Sequence, residues 1–176
     1  ISRDGAYHGS TYLSASVSGK SRDKEFMDME QQLIHFLSSP NPTNRPDGMS
    51  VAQFCDAAVK ELEDKILELG PDKVAGFVAE PILASGGVII PPQGYHKACL
   101  EVCRRYDVLY ISDEVVTAFG RLGHMFASEE VFDIVPDILT CAKGLTSGYV
   151  PLGALLISDR LLEDLRGDEE KKASFS

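Results

Sequence analysis

Val108-Leu109-Tyr110-Ile111-Ser112-Asp113-Glu114 is a short, almost wholly apolar run that stops abruptly at two carboxylates. A run of that length, rich in β-branched and aromatic side chains, reads as a strand buried in a sheet. It has counterparts on both sides. Val74–Ala79 is a continuous apolar run ending at Glu80-Pro81, and reads as a strand buried on both faces. Asp137–Ala142 is a third such run, ending at Lys143-Gly144, and Leu152–Ile157 is a fourth.

Helical patterns separate these runs. Phe54, Ala58, Leu62, Ile66 and Leu69 recur at three- and four-residue steps, which predicts a helix over 51–69 with one apolar stripe. Ser50 is placed to cap its start, and Gly70-Pro71 to end it. Tyr95–Tyr106 and Arg160–Leu165 also read as helices. Strands alternating with helices predict an α/β class with a mostly parallel sheet flanked by helices. The remaining segments are less regular. The first 20 residues suggest a strand and then a turn-rich loop. Met29–Leu37 has helical spacing at Leu33, Ile34 and Leu37 but is too short to fix a helix. Ser38–Met49 holds three prolines and must be irregular, and Gly167–Lys172 reads as a solvated loop.

Composition excludes several function classes. The 27 acidic residues against 17 basic ones leave a net charge of −10, which repels phosphate backbones and so excludes nucleic acid as a partner. No run of apolar residues is long enough to span a membrane. The opening Ile1-Ser2-Arg3-Asp4-Gly5 resembles neither a signal nor a transit peptide. Cys55, Cys99, Cys103 and Cys141 form no Cys-x-x-Cys pair, so free thiols in a reducing cytoplasm are expected. His96, Cys99 and Cys103 share a helix face, but core thiols are the plainer reading and no metal is expected. The 176 residues suit one domain, and a chain opening on Ile1 and closing on Ala173–Ser176 reads as cut at both ends.

Open parallel sheets bind ligands beyond the carboxyl ends of their strands. Glu80, Asp113 and Lys143 each close an apolar run, so the three could form one site. A partly desolvated Lys143 would be a nucleophilic amine; the alternative is a surface lysine. Asp113, at the rim of the core, needs a cation or donor: a protonated heterocyclic nitrogen, Lys143 or Arg121. Glu114 points to the opposite side and reads as structural. The glycine-rich segments at 85–87, 120–123 and 144–148 match neither a P-loop nor a dinucleotide fingerprint, and read as tight turns. Tyr7-His8-Gly9 offers an aromatic ring, an imidazole and a turn.

Asp113-Glu-Val-Val-Thr-Ala-Phe-Gly-Arg121, Pro136-Asp137 and Ala142-Lys-Gly-Leu-Thr-Ser-Gly-Tyr-Val-Pro-Leu-Gly153 together resemble the class III aminotransferases, pyridoxal-phosphate (PLP) enzymes of fold type I. Tyr7-His-Gly-Ser-Thr11 and Glu80-Pro81 with Gly86-Gly87 match in order. The resemblance implies that residues 1–176 are part of the PLP-binding large domain, without its N-terminal segment or the C-terminal small domain. It implies that Lys143 holds PLP as an internal aldimine and then transfers protons, and that Asp113 pairs with the pyridine nitrogen. Val115 and Tyr7 would flank the ring, with His8, Gly9 and Glu80 beside the cofactor.

The reaction implied moves an amino group from an ω-amino acid or diamine to a keto acid such as pyruvate, in a parent that forms a homodimer. Ser85 and Val116 stand where ornithine and 4-aminobutyrate enzymes often carry Glu and Gln, which points away from those two substrates. Ala118 replaces a usual Gly. The family's upstream phosphate-binding segment and its small-domain arginine are absent from the sequence. A catalytically incomplete relic and a PLP aminomutase are alternatives within the resemblance. A receiver-like signalling domain is the alternative without it.

Overall fold

The computed structural model describes residues 1–167; the charged stretch 168–172, expected to be a solvated loop, lies outside the described residues. The elements are β1 (Ser2–Arg3), α1 (Tyr12–Val17), β2 (Phe36–Leu37), α2 (Val51–Leu69), β3 (Gly76–Ala79), α3 (Tyr95–Arg105), β4 (Leu109–Asp113), α4 (Ala127–Glu130), β5 (Ile138–Cys141), β6 (Ala154–Ile157) and α5 (Asp159–Gly167).

The apolar stripe of α2 buries Cys55, Leu62 and Ile66. Its start is a capping box: Ser50 Oγ accepts from the Gln53 amide at 3.2 Å, and Gln53 Oε1 accepts from the Ser50 amide at 2.9 Å. Gly70 ends it at φ +91°, a left-handed angle that a side chain resists. α3 packs against α2 and turns Tyr95, His96, Cys99, Leu100, Val102 and Cys103 inward. Both helices cover the back of a four-stranded sheet of order β3-β4-β5-β6. Phe77, Tyr110, Leu62, Ile66 and Val108 meet there with no exposed surface. Burying each such large apolar side chain contributes roughly 1.5–3 kcal/mol.

β3, β4 and β5 run parallel, with Val78 opposite Ile111 and Asp113 opposite Thr140. β1 and β2 form a separate parallel pair. Ile1 joins that pair to the main sheet: its amino group donates to the Gly76 carbonyl at 2.8 Å, and its carbonyl accepts from the Val78 amide at 3.0 Å.

The predicted α/β class and mostly parallel sheet hold, with four differences in detail. β3 is buried on one face only: Phe77 and Ala79 meet the helices, whereas Gly76 and Val78 line an apolar groove of about 560 Å³ on the open face of the sheet. β6 is antiparallel to β5 and exposed along its length, because the chain reverses direction through the turns at 143–149. Phe36-Leu37 is a strand rather than a helical turn, its backbone being taken by β1. Tyr12–Val17 is a short helix inside the expected loop, its entry fixed by the Thr11 amide donating to Ser14 Oγ at 3.0 Å.

The cysteines are free and buried. Burial pushes the Cys99 thiol up to about 12 and raises Cys103 too, so neither is a ready thiolate ligand. His96 is fully engaged by its neighbours. One ring nitrogen lies 2.7 Å from the Tyr110 hydroxyl and the other 2.9 Å from the Pro81 carbonyl. Burial lowers its pKa to about 3, which keeps the ring neutral.

Candidate active site

Parallel pairing puts the carboxyl ends of neighbouring strands side by side, and the charged residues follow from that. Tyr7-His8-Gly9 comes after β1, Glu80 after β3, Asp113 ends β4 and Lys143 comes after β5. All seven residues singled out in the sequence (Tyr7, His8, Gly9, Glu80, Asp113, Val115 and Lys143) line one cleft of about 330 Å³, together with Ser85, Val116 and Ala142. The larger groove on the sheet face is lined mainly by apolar side chains and lacks such a convergence.

Asp113 is 6% exposed and well bonded. Oδ2 lies 2.6 Å from His8 Nδ1, and Oδ1 accepts from the Val115 amide at 3.0 Å. Its side-chain partner is therefore His8, and neither Lys143 nor Arg121. Arg121 sits in an exposed turn, and Lys143 lies past the next strand end. His8 is itself held in place: its amide donates to Ser18 Oγ at 2.8 Å, and Nε2 lies 3.5 Å from Ser2 Oγ.

Glu80 ties two loops together. Oε1 accepts from the Tyr7 amide and Oε2 from the Ala84 amide, each at 3.0 Å. Burial raises its pKa, and these two donors and His8 only partly offset that. Beneath it, the fully buried Arg3 donates through Nη2 to the Glu80 carbonyl at 2.6 Å. Its guanidinium lies 5.9 Å from the centre of the Tyr95 ring.

Asp113 and Glu114 are adjacent in sequence and opposite in use. Glu114 has no exposed surface. It accepts from the Ala127 and Ser128 amides, both at 2.7 Å, and from Thr117 Oγ1 at 3.0 Å. It caps α4 and has no free acceptor turned to the cleft, in keeping with its expected structural role.

Lys143 is exposed rather than partly desolvated, because it opens a 3-10 turn that lifts it off the end of β5. Its φ of +39° is strained for a residue with a side chain. The next position explains how that turn is held. A Cβ on Gly144 would stand 2.9 Å from Phe119 Cβ, so only glycine lets the turn lie against that side chain.

Residues 1–172 match the family model of aminotransferase class-III. This chain belongs to the class III aminotransferases.

The curated relatives of this aminotransferase chain include the mitochondrial gamma aminobutyrate transaminase 1 of Solanum lycopersicum, 40% identical over 177 residues, covering 100% of the chain and 34% of the relative. An uncharacterized aminotransferase of Sinorhizobium fredii is 39% identical and is covered over 38% of its length. The omega transaminase from Pseudomonas jessenii, solved in complex with PMP, superposes with a TM-score of 0.91 at 38% identity, over 98% of this chain and 38% of that one. A transaminase structure from directed evolution by ancestral reconstruction reaches 0.93 at the same identity, over 100% of this chain and 38% of that one. The chain spans about a third of the length of the curated relatives it matches.

Class III aminotransferases depend on PLP, and the cleft residues fit the ring end of that cofactor. Asp113 uses two of its roughly four acceptor sites, which leaves capacity for a ring N–H. Lys143 supplies an amine on the same cleft, and Tyr7 and Val115 supply an aromatic and an apolar wall. Among the described residues, no arginine lines the cleft to meet a phosphate. The cleft residues are legible in the sequence, but the His8–Asp113 pair is not. The two residues are 105 positions apart, and no local pattern reports that contact.

Proposed function

We propose that this chain is the central part of a PLP-dependent transaminase that moves an amino group from an ω-amino acid or diamine to a keto acid such as pyruvate. The observation that carries the reading is the convergence of Lys143 and the His8-backed carboxylate of Asp113 on one cleft. When bound, PLP supplies an electron sink for negative charge at the substrate carbon that bears the amine. Lys143 Nζ is the amine that anchors the cofactor. Once freed by an incoming donor, its Nζ would take the proton from that substrate carbon and deliver it to the cofactor carbon that Lys143 had held. Asp113 accepts the pyridine N–H and keeps that nitrogen protonated. His8 fixes the direction of the carboxylate. Glu80 holds the Tyr7 backbone so that Tyr7 and Val115 flank the ring and exclude water.

The name of the Solanum lycopersicum relative favours 4-aminobutyrate among the ω-amino acids, whereas Ser85 and Val116 weigh against it. The reading includes a homodimeric parent. It also places the protein in a reducing compartment, in keeping with the four free thiols; the cytoplasm fits, while several relatives are named as mitochondrial or chloroplastic. No described helix is long and apolar enough to cross a membrane. One observation favours a second reading, a catalytically incomplete piece: the chain spans about a third of the length of the curated relatives it matches.

Borohydride reduction of the purified chain with PLP, followed by peptide mapping, tests the proposal. The expected result is a pyridoxyl group on Lys143 that disappears in Lys143→Ala. Labelling elsewhere, or no uptake, overturns it.

A further inference from the structure

Within the cleft, the acidic groups are already engaged: Asp113 by His8 and the Val115 amide, Glu80 by two backbone amides. A second cation besides Lys143 stands just behind the wall, outside the lining itself. Lys20 Nζ donates to Ser85 Oγ at 2.6 Å and lies 5.9 Å from the centre of the Tyr7 ring, and both Ser85 and Tyr7 line the cleft. Among the described residues Lys20 has no carboxylate partner, so its charge is held by one neutral hydroxyl and one ring face.

Its backbone is not free to wander. The preceding Gly19 donates to the Ala6 carbonyl at 2.8 Å and accepts from the Gly5 amide at 3.2 Å. It lies so close to Arg3 that a Cβ would stand 2.0 Å from the Arg3 carbonyl oxygen. The segment leading into Lys20 is therefore pinned to the same loop that carries Tyr7 and His8.

We propose that Lys20 is a specificity-determining residue that receives the carboxylate at the far end of the amino donor. This inference rests on the transaminase reading and narrows it, from ω-amino acid or diamine to ω-amino acid. An ammonium has three donor positions, and Ser85 takes one, so a carboxylate can be accepted without breaking that bond. The same charge opposes the distal ammonium of a diamine.

Butyrate and n-butylamine serve as probes, titrated calorimetrically against the full-length protein in wild-type, Lys20→Gln and Lys20→Arg forms. Each probe carries only one of the two end groups, so binding is read without turnover. The butyrate-to-butylamine affinity ratio is expected to fall about ten-fold in Lys20→Gln, the loss of one charge-assisted hydrogen bond, and to be retained in Lys20→Arg. An unchanged ratio in Lys20→Gln overturns the inference. The two readings fail separately. Uptake of PLP on Lys143 with indifference to Lys20 overturns only the carboxylate site, while a Lys20-dependent butyrate site in a protein that takes up no PLP overturns only the transaminase reading.

Discussion

The back of the sheet and its carboxyl edge each hold a histidine, and the two are used in opposite ways. His96, behind the sheet, is 2% exposed, bonded at both ring nitrogens and kept neutral by its surroundings. His8, at the edge, has one strong partner, the carboxylate that faces the cleft, and a long contact to Ser2. Behind the sheet, polar atoms are satisfied so that apolar packing can close around them. At the edge, polar atoms are held in place but left with unused capacity, which is what a ligand needs. Substitutions behind the sheet are thus expected to show as stability, and those at the edge as cofactor uptake.

The largest expected effect is Phe77→Ala, which empties a fully buried site between α2, α3 and β4. It is expected to lower unfolding free energy by about 3–5 kcal/mol in a denaturant titration. A loss below about 1 kcal/mol would mean that the two sides differ less than proposed.

The next effect is a pH dependence. The folded chain refuses a proton at His96 until about pH 3, whereas the unfolded chain accepts one near 6.5. Between those values the unfolded state binds more protons, so stability falls as pH falls. The contribution is about 1.4 kcal/mol per pH unit. His96→Gln is expected to flatten the acid limb by that slope, and equal limbs would show that His96 is not the group responsible.

The smallest effect on stability is expected at the edge. His8→Gln is predicted to change unfolding free energy by about 1 kcal/mol, the net worth of the one side-chain hydrogen bond it alters in a largely buried pair. It should weaken PLP uptake, measured by absorbance titration, about ten-fold through loss of the charge-assisted hold on Asp113. A large stability loss with unaltered uptake would reverse the assignment of the two regions.

The contrast was only half visible in the sequence. α2 could be read residue by residue, because its stripe, its Ser50 cap and its Gly70 stop are all local signals. β4 and the charged ends of β3 and β5 were equally plain, since an apolar run that meets a carboxylate or a lysine marks a strand end. What failed were features decided by distant parts of the chain. Phe36-Leu37 became a strand because β1 offered it a backbone partner, and the direction of β6 depends on turns that no apolar pattern encodes. Asp113 was located correctly, but His8 could not be named as its partner from residues 105 positions away. Lys143 is legible as the residue that follows β5, but its exposure depends on the turn that Gly144 and Phe119 shape together.

The span of the His8–Asp113 contact also has a consequence in time. Closing a loop of that length costs entropy that grows with the logarithm of its size, and nothing local offsets it. The packed layer behind the sheet, from α2 through β4, lies between residues 51 and 113 and can assemble from contacts made within that stretch. The cleft needs Tyr7 from one end of the described chain and Lys143 from near the other. During synthesis, the scaffold can therefore exist before the cleft does, and the cleft closes only when residue 143 has followed the rest out.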